Sequence, residues 1–371
     1  MSLHRLVTHD GAAVDGVLRR LPGSRTVVSL MHPRSDQTHH GVISTLLEAG
    51  FSVWTQTSRS PNSDVNLLHE LALVDYARGQ EFLRVDAGFE TVASLGHSSG
   101  GALAASYHQQ AGLPRPERIA YLPSGRHVPL ATTVMPAVDL AIFLAAHPGQ
   151  GQVLQRYIDP SVAEEADRLS TVPDLDMYSE RNGFRPPPEP TRYSAEFLAR
   201  YRIAQQARVA RIDAAAWRMI ETSSGATLII TYRTDADPAM VDLSIDPNGR
   251  VYGSLFGARP DLSNYGLPGF ARILTAEAWL SSWSANVSRA KFSECARGVQ
   301  APTLFLEFDA DTGCLPHEAD QLVMALASTD VTRGHIEGNH YGLDASGQPT
   351  GLVMAAEAAA VWLDNQLGGT R

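Results

Sequence analysis

Cysteine is scarce. Cys295 and Cys314 are the only two in 371 residues, and their spacing fits neither a disulfide framework nor a metal site. A lone cysteine of this kind reads as a small buried hydrophobe. Lysine is scarcer still: Lys291 is the single one among thirty basic residues, and like charges form no block. Nucleic-acid binding needs a clustered basic face, so the sequence argues against that partner. No apolar run approaches eighteen residues, and the N-terminus, MSLHRLV, carries no secretory apolar core. These absences predict a soluble, cytoplasmic chain with no membrane segment. The net charge of −10 adds solubility and sets no partner, and nothing fixes the oligomeric state.

What is present is an ordinary globular composition, 44% hydrophobic and 19% charged, long enough to bury a full core. Short strands are expected at 4–8, 14–18 and 26–31, the last nearly continuous in apolar residues, as a strand buried on both faces should be. It runs into His32-Pro33-Arg34. A helix over 40–49, a strand over 51–55 and a long helix over 66–84 follow. Apolar Val92, Ala93 and Leu95 then lead into Gly96-His97-Ser98-Ser99-Gly100, with a small-residue helix directly after, and 117–122 reads as another strand. Such alternation predicts a mostly parallel sheet covered by helices on both faces.

The rhythm breaks between 128 and 299. Helical patches are expected at 138–146, 162–169 and 274–289, and a long helix at 194–221. Strands are expected at 227–232, 241–245 and 250–255, the last two joined by a turn at Asp246-Pro-Asn248-Gly249. The predicted organisation is a core at 1–127, a large inserted helical and β cap at 128–299, and the rest of the core at 300–371. The core resumes with a buried strand at 301–307, then Asp309-Ala-Asp311, a helix over 317–327, a strand over 332–336, the loop Gly338-Asn-His340 and a last helix over 351–367.

A serine at the apex of a strand–turn–helix is held in a strained conformation, with its hydroxyl pushed out over the sheet edge. A hydroxyl is a poor nucleophile and needs a general base, which needs an orienting acid. The order Ser98, Asp311, His340 resembles the α/β-hydrolase superfamily, on the pieces Gly96-His-Ser-Ser-Gly100, Asp309-Ala-Asp311 with Pro316 following, and Gly-Asn-His340. The resemblance implies an α/β-hydrolase fold and a serine hydrolase acting on an ester, lactone or related acyl compound through an acyl-enzyme on Ser98. It implies Asp311 as the acid, with Asp309 as competitor and Glu307 further behind, and His340 as base, with His335 as fallback. It places oxyanion donors at the Ser99 and Arg34 amides, although His32-Pro33-Arg34 departs from the family's His-Gly pattern. The Arg34 guanidinium could instead meet a substrate carboxylate. The partner implied is a small-molecule acyl substrate, with no metal or organic cofactor. The same residues also serve acyl transfer, carbon–carbon bond hydrolysis, or a receptor that binds without turnover. Trp279, Trp283, Tyr178 and Phe184 are candidates for a pocket lining, none of them assigned.

Overall fold

The computed structural model describes residues 1–222 and 227–368. Eight strands form one sheet: β1 (Ser2–Val7), β2 (Ala13–Arg19), β3 (Thr26–Met31), β4 (Ser52–Gln56), β5 (Thr91–His97), β6 (Leu140–Leu144), β7 (Thr303–Ala310) and β8 (Val331–Asn339). Their spatial order is β1-β2-β4-β3-β5-β6-β7-β8. β2 pairs antiparallel with β1 and β4, and every pairing from β4 through β8 is parallel.

The central strands are apolar throughout because helices cover both faces. Side chains alternate across the pleat. Val28, Leu30, Leu95 and Ile142 face a layer made by α1 (Ile43–Glu48) and α7 (Thr350–Gln366), where Leu352, Ala356 and Leu363 pack. Val27, Met31 and Val92 face α2 (His69–Glu81) and α3 (Ser99–Gly112), and Ala141, Phe143 and Phe305 meet α3 and α6 (Pro316–Met324). A fully buried Leu, Ile or Phe contributes about 1.5–3 kcal/mol each, so these two layers hold the sheet edge that carries the turn at Ser98.

The inserted region differs from expectation in its limits and its elements. Residues 138–146, expected helical and in the cap, contain β6, which lies between β5 and β7 in the middle of the sheet. A five-residue run buried on both faces has no amphipathic period to separate strand from helix. The chain therefore leaves the sheet after β6 rather than at 128. It is back in the core by Ala276–Trp283, whose Trp279, Leu280 and Trp283 pack in the same cluster as α2 and α3. That segment ends in a wide π turn, and Ile273–Thr275 before it is a strand paired with Leu228–Ile230.

Residues 162–169, expected helical, form a small hairpin of Val162–Glu164 with Asp167–Thr171. The strand expected at 117–122 is reduced to one bridge, Tyr121 to His127. Neither 241–245 nor 250–255 is a strand. In 241–245 the buried Asp242 carboxylate accepts from Tyr193 N–H (3.0 Å) and Ser244 N–H (3.1 Å) and ties the segment to a loop. The long helix is present as α5 (Ala195–Thr222), preceded by α4 (Gln150–Tyr157).

Candidate active site

The turn after β5 is tight enough to dictate its residues. A Cβ on Gly96 would lie 2.5 Å from the Gly100 carbonyl oxygen, and one on Gly100 would lie 2.9 Å from that of Met31. Between them Ser98 sits at φ +57°, a conformation that costs a non-glycine residue of order 1–3 kcal/mol. Its N–H donates to Leu144 O of β6 at 3.1 Å, which anchors the strained residue to the sheet. The hydroxyl is left facing a cavity of about 350 Å³.

His340, just past β8, reaches that hydroxyl: Ser98 Oγ lies 2.9 Å from His340 Nε2. On the ring's far side Nδ1 lies 2.8 Å from Asp311 Oδ1. A carboxylate only accepts, so the proton sits on Nδ1 and the Nε2 lone pair is free for the serine O–H. Asp311 Oδ1 also accepts from the N–H groups of Gly313 (2.6 Å) and Cys314 (3.1 Å), which fix its orientation. Both Asp311 and His340 are buried. Asp309 is exposed and accepts from Gly338 N–H at 3.0 Å, tying the end of β7 to β8. His335 stays within β8, opposite Glu307. The structure thus brings Asp311, and not Asp309, to His340. Asp311→Asn should lower kcat about 10⁴-fold by disturbing the imidazole tautomer, and Asp309→Asn should cost far less. Steady-state rates of the two variants check this, and equal losses would contradict it.

Sequence reasoning missed Asn248, whose Nδ2 donates to Asp311 O at 2.8 Å, while Gly249 N–H donates to Asp309 O at 2.8 Å. The stretch expected as a hairpin turn is instead a clamp on the turn that carries the acid.

Arg34 stands differently from both expectations. Its N–H donates to His32 Nδ1 at 3.0 Å, and Ser35 N–H donates to the same atom at 2.9 Å. The amide expected as the second oxyanion donor is therefore spent within its own turn. With Nδ1 accepting twice, the His32 proton lies on Nε2 and donates to Ser99 Oγ (2.7 Å), pinning this loop to the start of α3. The guanidinium makes a bidentate pair with Asp64, Nε to Oδ1 at 2.6 Å and Nη2 to Oδ2 at 2.7 Å, and lies 4.9 Å from the Trp283 ring centre. Its charge is matched inside the protein, which corrects the reading that it awaits a substrate carboxylate. Ser99 is the first residue of α3, so its N–H has no carbonyl one turn earlier to bind.

The cavity wall carries more histidine than the sequence suggested. His40 Nε2 lies 2.9 Å from His97 Nδ1, and His97 Nε2 donates to the His340 carbonyl at 3.2 Å. Burial lowers His40 to about 4, and burial, with His40 and His340 close by, holds His97 well below its ordinary value. Both rings are neutral and brace the loop that carries His340. Val153, Leu255, Phe256, Phe270 and Trp283 supply the apolar wall. Trp279 is used elsewhere, donating to Asp213, and Tyr178 and Phe184 pack in a separate cluster around Tyr201. Among the described residues no cluster of His, Cys, Asp and Glu could hold a metal ion, and no helix is long and apolar enough to cross a membrane.

No protein-family model and no curated protein matches the chain by sequence. Solved structures match it by shape. DcsB, in complex with its substrate analogue, superposes with a TM-score of 0.51 at 12% identity, covering 99% of both chains. The monoacylglycerol lipase of Paleococcus ferrophilus gives 0.47 at 16% identity, over 98% of this chain and 99% of that one. An esterase domain from Rhodothermus marinus gives 0.45 at 9% identity, over 98% of each. This chain has the α/β-hydrolase fold.

In an α/β-hydrolase the sheet presents the carboxyl ends of its strands to one crevice, which is where ligands bind in open α/β sheets. Ser98 after β5, Asp311 after β7 and His340 after β8 all lie at that edge. So do His32 after β3 and His147 after β6. With 138–146 read as helical, His147 lost the strand-end position that would have singled it out.

Proposed function

We propose that the protein is a serine hydrolase that cleaves an uncharged carboxylic ester, lactone or related acyl compound. The observation that carries this is the continuous relay from Ser98 Oγ through His340 to Asp311, 2.9 and 2.8 Å long, opening on a cavity of about 350 Å³. Ser98 Oγ attacks the acyl carbon while its proton passes to His340 Nε2. Asp311 holds the resulting imidazolium. The oxyanion forms beside Ser99 N–H, and one such donor is worth about 3–4 kcal/mol when preorganised. Collapse breaks the bond to the leaving group, which takes the proton from His340, and the acyl group stays on Ser98. Water then repeats the sequence in reverse roles, releasing the acid. The inserted region serves as the cap, through Leu255, Phe256 and Phe270.

The uncharged substrate follows from the wall. Arg34 is paired with Asp64, and His32, His40, His97 and His147 are held neutral. A charged acyl chain would meet no counter-ion there.

Acid-quenched turnover of a chromogenic ester such as 4-nitrophenyl butanoate tests the acyl-enzyme. A butanoyl adduct on the peptide containing Ser98 is expected. Phenolate release with no adduct at any quench time would contradict the proposal.

A further inference from the structure

The connection from β6 into α4 brings two polar side chains to the cavity that Ser98 faces. His147 and Gln150 both line it, and both are more than nine-tenths buried, at 6% and 4% exposure. Neither is needed by the relay. His147 Nδ1 accepts from Gly149 N–H at 3.1 Å, so the neutral ring carries its proton on Nε2. Burial, with His340, Arg156 and Arg34 nearby, lowers its pKa to about 3, and the ring is a fixed donor at any working pH. Gln150 Nε2 is enclosed and has no hydrogen-bond partner among the described residues. An enclosed donor left unmet costs about 1–3 kcal/mol, and a native structure that keeps one calls for a reason.

Around these two groups the wall is apolar: Val153 one turn along α4, then Phe256, Phe270 and Trp283. A plain alkyl chain laid against this face would cover His147 Nε2–H and the Gln150 amide and satisfy neither. An oxygen in that chain gives His147 Nε2–H an acceptor, and it gives the Gln150 amide a partner once that amide turns to the cavity. The amide can turn either its donor or its acceptor end to the cavity, so ether, carbonyl and hydroxyl oxygens all fit the pair.

We infer that His147 and Gln150 form a polar subsite that selects acyl compounds carrying a second, uncharged oxygen function in the chain. This rests on the reading of Ser98 as the nucleophile and adds a substrate class to it. Sites built to hydrogen-bond a substrate group discriminate strongly against analogues that lack it, because their own buried polar groups are then left unpaired.

The test compares esters that differ by one CH₂-to-oxygen exchange. Ethyl pentanoate and ethyl 3-methoxypropanoate probe the acyl side, and butyl acetate and 2-methoxyethyl acetate the alcohol side. For the wild type, kcat/KM should favour the oxygen-bearing member of at least one pair by about tenfold or more. Gln150→Met keeps the side-chain length and removes the amide. His147→Asn keeps an acceptor for Gly149 N–H through its own side chain, as Asn does in turns, and withdraws the ring N–H. Either variant should bring the ratio toward one. Wild-type ratios near one in both pairs, or ratios unmoved by both variants, would overturn the subsite. The Kd ratio of the same pairs is also measured on Ser98→Ala protein, with and without Gln150→Met. If that ratio shifts while no ester is turned over by the wild type, the subsite stands and the Ser98 reading falls.

Discussion

Ser98→Ala lowers kcat on any substrate ester by about four to six orders of magnitude, to the level that binding and the oxyanion donor alone provide. The loss is that large because the relay acts as a unit: without Oγ, His340 has no proton to take and Asp311 has no imidazolium to hold. Stability behaves differently. Alanine at φ +57° is as strained as serine, and the change deletes only one hydrogen bond, to His340 Nε2. Ser98→Gly should go further and stabilise the protein by about 1 kcal/mol, since glycine adopts that conformation freely. A strained serine kept where glycine would be more stable marks a residue held for its chemistry. Melting temperatures and rates of the three proteins check this together. A Ser98→Gly protein less stable than the wild type would show that the strain is not where the geometry puts it.

Acid should unfold the protein early. His32, His69, His108 and His147 are buried, and burial holds each below its ordinary pKa, with His69 and His108 at about 4 and His147 at about 3. In the unfolded chain each titrates near 6.5. Below that pH the unfolded state binds protons that the folded state cannot, so stability is complete above about 6.5 and falls as the pH drops toward the folded values. At pH 5 the loss is roughly 2 kcal/mol for each of the three with a stated value, or on the order of 6 kcal/mol together. Against a total of about 5–15 kcal/mol for an ordinary protein, that is between about two fifths and the whole of the margin. Urea midpoints at pH 7, 6 and 5 should fall steeply. A midpoint that stays level across that range would mean these rings take up protons in the folded state.

Several parts of this structure were readable locally. Gly96 and Gly100 announce a turn that no side chain could enter, and the buried runs in β3, β5 and β7 announce a parallel sheet. Chain order alone then places Asp311 and His340 at the same edge as Ser98. The rest depends on contacts between distant segments. β6 has no period of its own, because helices cover both its faces. Residues 241–245 alternate in sequence, but Asp242 accepts from Tyr193 N–H, 49 positions earlier, and holds them in a loop instead of a strand. That the Arg34 amide turns to His32 and its guanidinium to Asp64 is a matter of loop geometry, which residue types do not specify. The partnership of His40, His97 and His340 joins three separate segments of the chain, and Asn248 reaches Asp311 from within the insertion.

The central claim is that Ser98 is an activated nucleophile. The most direct measurement is the intact mass of the protein after treatment with a fluorophosphonate, wild type beside Ser98→Ala. One adduct per wild-type chain and none on the Ser98→Ala protein is the predicted result. A wild type that stays unmodified, or a Ser98→Ala protein labelled as fully, would contradict it.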